Sequence, residues 1–448
     1  MCIGAFMGQL DASIVTLAVP SIRNDLNGSL AQVEWVALIY LLVLVGSISA
    51  IGRLADMLGR KLLYIYGFAL FTIASLGCGF APDIGWLLSA RAVQAVGAAM
   101  LQANSVALIR TSMPPGKLGR AIGLQGAAQA VGLAIGPSVG GLLIGLGGWR
   151  WVFFVNIPAG IIGILLGCFL LPRTHVRAAR TRLDWIGLIV LMPAAAALLL
   201  SLSEASRVGI GNPAVSVLLA AFAVLFALFV LRERRTPNPL VDLSLFRAGR
   251  FSRGIATGLL CYLVLFGVLF VTPLYLEAAR GLPSAQAGLL LTVLPAALAA
   301  AAPAAGIVAD RHGARLPTST GMGLAAAALT VMALFPDSIW VLAVCLGGIG
   351  LGLGLFTPAN NATLAAAGHD RQAGMVSGVL NMTRGIGTSL GVALAAIAYT
   401  LATGAGSGPS SPAASETGFR TAIALLAAFA VAAAAISFAG RRGSPSAS

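Results

Sequence analysis

Fourteen apolar runs of about twenty residues recur along the chain, each long enough to cross the roughly 30 Å hydrocarbon core of a bilayer. No other feature restricts the fold as strongly. Lipid offers backbone groups no hydrogen-bond partners, so a chain built from such runs must be a helix bundle. The runs lie near 2–20, 33–53, 62–82, 85–108, 120–146, 152–172, 184–204, 213–231, 253–275, 285–309, 316–335, 338–361, 374–400 and 419–440. Of 448 residues, 58% are hydrophobic and only 9% charged, against about 25% charged in soluble domains. The chain reads as an all-α polytopic membrane protein.

The net charge of +14 would suggest nucleic acid in a soluble protein. Here the positive-inside rule accounts for it. With the N-terminus in the cytoplasm, inner loops and the C-terminal tail hold 21 Lys and Arg and outer loops hold 5, which orients the chain. No nucleic-acid partner is needed, and the expected location is a bacterial cytoplasmic membrane with both termini inside. Only ten residues precede Asp11 in the first run, which suggests a natural start upstream of Met1. No basic leader or small-residue cleavage site points to a signal peptide. The longest outer connection, 401–418, reads as a flexible tether.

Cys2, Cys78, Cys168, Cys261 and Cys345 are widely spaced and form no CxxC pair, so neither a metal site nor a disulfide framework is expected. His175, His312 and His369 read as loop residues. There is no G-x-x-x-x-G-K-[ST] and no H-E-x-x-H, and no sizeable soluble domain to hold an active site. No cofactor, metal or enzymatic activity is expected.

Two echoes reveal an internal repeat. GRLADMLGRK (Gly52–Lys61) and GIVADRHGAR (Gly306–Arg315) share G-x-x-A-D-x-x-G, with Asp56 and Asp310 254 residues apart. Gly132 and Gly136 correspond to Gly387 and Gly391 at an offset of 255. The expected organisation is a six-helix half over 1–172, two inserted spans over 173–252, and a second six-helix half over 253–448. Two such halves place a pathway at their interface, and rocking one against the other gives alternating access.

Three charges fall well inside the runs: Asp11, Arg91 and Arg384. Such groups cost about 2.5–3.5 kcal/mol on insertion scales and are functional by default, with silent packing as the competing explanation. Burial raises a carboxylate pKa and a nearby arginine lowers it, so Asp11 with Arg91 suits proton coupling. Gly132, Gly136 and Gly140 recur every four residues and make a face for close helix approach, while Pro137 bends the helix. Asp56, followed by Gly59, Arg60 and Lys61, suits a latch between states. Phe6, Tyr40, Tyr262, Phe266 and Asn360 are candidates to line the pathway, with Arg384 and Asn360 in its second half.

These residues resemble the major facilitator superfamily, in its fourteen-span drug:proton antiporter branch (the EmrB/QacA-like group). The resemblance covers essentially the whole chain. LDASIVTLAVP resembles the span-1 motif, with Asp11, Ser13 and Pro20. GRLADMLGRK resembles the superfamily's loop 2–3 motif, and RAVQAVGAA the span-4 motif with Arg91, Gln94 and Gly97. GLAIGPSVGG matches the span-5 antiporter motif, and WRWVFFVNIPAG is typical of the branch. The resemblance implies a major facilitator fold of two six-helix halves plus two central spans. Asp11 would take part in proton or substrate coupling, influenced by Arg91 and assisted by Gln94. Gly52, Asp56, Gly59, Arg60 and Lys61, with Asp310 and Arg311, would gate; Gly132, Gly136, Pro137, Gly140 and Gly141 would impose export. Ala95 stands where the span-4 motif usually has Gly, a small steric change.

The function expected is proton-coupled export of small lipophilic compounds, of the multidrug-resistance type. With one buried acid, monovalent cationic or neutral substrates are expected. A dedicated exporter of one antibiotic or metabolite is the alternative within transport; a non-transporting sensor or scaffold is the alternative outside it. The partners expected are substrate, protons and membrane lipids, the chain being a monomer; an envelope accessory protein is left open.

Overall fold

The structure, a computed structural model, describes the chain except residues 28–29, 115, 172–183, 209–211, 237–238, 248, 368–372, 404–410 and 440–448. The described residues are almost wholly helical. In the first part run α1 (Cys2–Leu26), α2 (Leu30–Leu58), α3 (Arg60–Gly79), α4 (Ile84–Ser112), α5 (Leu118–Gly147), α6 (Trp151–Phe154) and α7 (Asn156–Leu170). Two helices follow, α8 (Trp185–Val208) and α9 (Pro213–Arg235). The last part holds α10 (Gly249–Ala278), α11 (Ser284–Leu291), α12 (Val293–His312), α13 (Arg315–Leu334), α14 (Ile339–Ala367), α15 (Ala373–Thr403) and α16 (Pro412–Phe438).

Local chemistry sets several helix ends. The Asp83 carboxylate accepts from the Trp86 N–H at 2.8 Å and caps α4. Asn212 caps α9 and Ser411 caps α16, each followed by a proline whose missing N–H costs nothing at the first helical position. Gly59 adopts φ +113° between α2 and α3, a left-handed conformation that a residue with a Cβ rarely takes.

Among the described residues, twelve helices are long and apolar enough to cross a membrane, or thirteen if a bent pair counts as one. The fourteen expected spans are therefore not all reached by length and composition. α1 runs unbroken from Cys2 to Leu26, and within it Cys2–Val15 is an apolar helix shorter than a full span. α5 is the bent pair: Leu118–Gly136 and Ser138–Gly147 meet at 46°. The expected tether is also shorter than the sequence suggests. α15 runs to Thr403 and α16 starts at Pro412, so much of 401–418 is helix, and 404–410 lies outside the described residues.

α1 packs on α5, α2 and α3 on α4, and α3 on α7. α10 packs on α15 and α16, α13 on α14 and α16, and α12 on α14. The two groups meet where α5 lies on α12 and where α2 and α4 lie on α15. α8 and α9 pair with each other, and α8 also rests on α2 and α15. One apolar core lies within the last group, around Val264, Leu294, Leu346 and Phe419. Another lies in the first, around Tyr64, Phe68 and Phe71. The outer faces stay apolar too: Leu146, Phe169, Trp340 and Val344 are all largely exposed, as suits a surface that meets hydrocarbon.

Candidate functional site

Asp11 is completely buried, and so, within a percent, are Arg91, Gln94, Ser75 and Asn156. Arg91 and Gln94 stand three residues apart on α4, hence on one face. Arg91 Nη1 donates to Asp11 Oδ2 at 2.8 Å and to Gln94 Oε1 at 2.6 Å. Gln94 Nε2 donates to Asp11 Oδ1 at 3.1 Å and to Ser75 Oγ at 2.7 Å. Asn156, the first residue of α7, adds a third donor to the carboxylate, 3.0 Å from Oδ1. Arg91 Nε donates to the Val36 carbonyl at 3.1 Å, and the guanidinium lies 4.3 Å from the Tyr40 ring centroid and 5.6 Å from that of Phe153. The pair thus has the charge-assisted bonds and aromatic faces that make burying two ions tolerable. The sequence pointed to Asp11, Arg91 and Gln94 and left open whether they touch; they do. Asn156 and Ser75 were missed, because a search for charges passes over them. Asn156 was nevertheless visible as a lone amide in an apolar run.

A cavity of about 470 Å³ lies between the two groups of helices. Gly8, Gln9, Ala12 and Ser13 line it from α1, but Asp11 does not. At 100° per residue Asp11 falls on the far side of that helix from its neighbours. Tyr40 links the two places: its side chain lines the cavity and its ring covers Arg91. Phe266 also lines the cavity, while Tyr262 lines smaller adjoining spaces. Phe6 packs against Gly132 instead. Among the described residues no carboxylate lines this cavity, so it lacks the counter-charge expected for a cationic substrate.

Arg384 does line it. Its guanidinium donates to Gln102 Oε1 and, at 3.1 Å, to Gln129 Oε1. Asn360, the other second-half candidate, is buried and donates to the Gly254 carbonyl at 3.0 Å. It ties α14 to α10 and is not on the cavity wall.

One end of the cavity is sealed by two matching arrangements. Asp56, near the end of α2, accepts from the N–H groups of Gly374 (2.9 Å) and Met375 (3.1 Å) at the start of α15. Arg60 Nη2 and Nε hold the same carboxylate at 2.7 and 3.0 Å. Asp310, near the end of α12, accepts from Gly119 (2.8 Å) and Arg120 (3.0 Å) at the start of α5. Each aspartate therefore caps a helix N-terminus of the other group, where both free N–H groups and the helix dipole favour an anion. Close beside these caps, Gly52 meets Gly374 and Gly119 meets Gly306 backbone to backbone; a Cβ at any of the four would strike the partner's carbonyl oxygen. Lys61 does something else. It donates to the carbonyls of Cys168 and Leu171 at 2.9 and 2.6 Å, closing the end of α7. Arg311 is exposed.

The same helices reach both features in order. α2 touches the cavity through residues 40–48 and the seal through 52–56; α15 touches it through 381–392 and seals through 374–375. With a rise of about 1.5 Å per residue, the cavity lies wholly to one side of the seal.

In α5, a Cβ on Gly132 would come within 2.6 Å of the Phe6 carbonyl, and Gly136 lies against Ser13 of α1. Gly140 is buried, whereas Gly141 faces open space. The bend falls at Pro137, whose side chain lies outside the described residues. α15 repeats the contact on α10, where Gly387 and Gly391 lie against the Leu259 and Leu263 carbonyls.

The family model described as Major Facilitator Superfamily matches residues 1–392 and 254–447. The chain is 34% identical to the riboflavin transporter RibZ of Clostridioides difficile over 395 residues, 88% of this chain and 85% of that one. It is 35% identical to the multidrug resistance protein Stp of Mycobacterium tuberculosis over 397 residues, 88% of this chain and 73% of that one. Among solved structures, the human organic anion transporter MFSD10 (TETRAN) superposes with a TM-score of 0.69 at 16% identity, covering 97% of both chains. That likeness concerns the fold alone. Matched over nearly its whole length by the family model and by relatives above 30% identity, the chain belongs to the Major Facilitator Superfamily.

Proposed function

We propose that the chain exports small lipophilic compounds across a bacterial cytoplasmic membrane in exchange for protons, by alternating access between two six-helix halves. The observation that carries this reading is the pairing of two features in one bundle. A buried carboxylate, Asp11, is held by a removable set of donors, and a central cavity is closed at one end by caps that cross between the halves. The multidrug resistance relative supports the drug-export sense, as does the resemblance of α5 to the antiporter motif. The riboflavin transporter relative favours one second reading, a carrier dedicated to a single metabolite.

In this reading the spans number fourteen, with α6 and α7 forming one, α11 and α12 another, and α1 and the bent α5 each crossing. α8 and α9 are the insert between halves, and the chain acts as a monomer. The excess of inner-loop arginines puts the Asp56 and Asp310 caps at the cytoplasmic face. The cavity then opens outward, and the conformation described is the outward-facing one. Substrate enters from the cytoplasm in the opposite state; it leaves here, and a proton reaches Asp11. Protonation weakens the carboxylate's hold on Arg91, and Tyr40, touching both places, relays the change to the cavity.

The test is accumulation. In a host stripped of its own efflux pumps, expression should lower the steady-state level of at least one lipophilic drug or of riboflavin. A protonophore should restore that level. Lowered accumulation that survives the protonophore would contradict proton coupling, and unchanged accumulation across a broad panel would contradict multidrug export.

A further inference from the structure

Among the three charges of the central region, two cancel: Asp11 and Arg91 form an ion pair at 2.8 Å. Arg384 has no such partner. It is 9% exposed, it donates to the neutral side chains of Gln102 and Gln129 and lies against the neutral Tyr262 hydroxyl, and it forms no ion pair among the described residues. It is also the charged residue on the wall of the 470 Å³ cavity, which is otherwise apolar and neutral-polar. A buried cation left uncompensated in this setting is costly. The two glutamines and the Tyr262 hydroxyl engage at most three of its five donors, leaving two for a planar anion, which a guanidinium recognises in a two-pronged fashion. Phe266, Leu269, Phe270 and Leu291 supply an apolar wall for the body of such a molecule.

We propose that this cavity is a binding site for lipophilic organic anions, carboxylates in the first instance, with Arg384 pairing the acidic group and Gln102 and Gln129 holding the guanidinium in place. This rests on the export reading for its biological sense, and it replaces the cationic substrate class suggested by the lone aspartate. Asp11 stays with Arg91 on the far face of α1 and handles the proton; the anion binds on the cavity side.

The test uses the purified full chain in detergent and three probes that share one body: 1-pyrenebutyrate, its methyl ester and 1-pyrenebutylamine. Affinities are read from probe fluorescence. The carboxylate should bind about 10- to 100-fold more tightly than ester or amine, the span expected of a hydrogen-bonded charge. Arg384→Gln should abolish that preference, the carboxylate's affinity falling to about that of the ester; Arg384→Lys should keep part of it, which separates loss of charge recognition from loss of fold. Asp11→Asn should leave the preference intact. A carboxylate that binds no better than ester and amine, or a preference that survives Arg384→Gln, overturns the proposal. A gradient-driven export assay in proteoliposomes separates the two readings. An Arg384-dependent preference without gradient-driven export leaves the anion site standing and sinks the exchange. Gradient-driven export of ester, amine and carboxylate alike does the reverse.

Discussion

At the scale of single residues, the structure explains how a carboxylate tolerates the middle of a membrane protein. Asp11 is fully buried, and Arg91, Gln94 and Asn156 all donate to it. Removing one member of a buried pair typically costs about 3–5 kcal/mol, because the other charge stays behind. Arg91→Gln should therefore lower thermal stability sharply. The double variant Asp11→Asn with Arg91→Gln should recover most of that loss, since no charge is then stranded. Melting of the purified variants in detergent checks this; a double variant as unstable as the sum of the singles would contradict the pairing. Much of this cluster was legible because charge is rare in the runs: Asp11 and Arg91 announce themselves. Ser75, Asn156 and the Val36 carbonyl do not, since neutral donors and backbone acceptors leave no trace in hydropathy. Nor did hydropathy show on which face of α1 Asp11 lies relative to the cavity. That depends on tertiary packing of α1 between α4 and α5.

At the scale of helices, small residues decide which elements touch. α5 approaches α1 along Gly132 and Gly136, and α15 approaches α10 along Gly387 and Gly391. Overpacking a close contact costs about 1–3 kcal/mol. Gly136→Val should lower both transport and thermal stability, because its new methyls meet Ser13. Gly141→Ala, at a site with nothing near, should change stability by less than about 0.5 kcal/mol. Equal effects at the two sites would mean that the glycine row serves something other than packing on α1. The four-residue spacing in the sequence was enough to find this face, and a shared offset was enough to find its counterpart in α15. Other features of the elements were not legible. The early start of α16 rests on Ser411 and Pro412, a cap and first-turn proline inside a Ser-, Gly- and Pro-rich stretch that reads as linker by composition. Gly59, Asp56 and Arg60 were placed in a loop, yet Asp56 still belongs to α2 and Arg60 opens α3.

At the scale of the whole molecule, two reciprocal caps join the two groups of helices at one end of the cavity, and in the proposed cycle they hold that end closed. Asp56 and Asp310 each satisfy two N–H groups on a helix of the other group. Hydrogen bonds to a charged group are worth about 1.5–3 kcal/mol, so losing one cap should shift the balance between end-closed and end-open states by roughly 10- to 150-fold. Asp56→Asn should make a cysteine placed at Ser49, just inside the seal, react faster with a membrane-impermeant maleimide from the cytoplasmic side. Asp56→Asn with Asp310→Asn should react faster still. An unchanged rate in both would show that the Gly52–Gly374 and Gly119–Gly306 contacts close this end unaided. The internal repeat in the sequence marked Asp56 and Asp310 as counterparts. That each caps a helix of the other group, not of its own, is a property of the assembled bundle.

The measurement that bears most directly on the whole scheme is proton movement with and without the buried carboxylate. Everted membrane vesicles are energised and their gradient is followed with a pH-sensitive dye while lipophilic anions, neutral compounds and cations are added in turn. A compound that dissipates the gradient in wild type and leaves it untouched in Asp11→Asn is the predicted result, and it would make Asp11 the residue through which substrate and proton exchange. A compound that dissipates the gradient equally in both would contradict it and place the proton path elsewhere in the bundle.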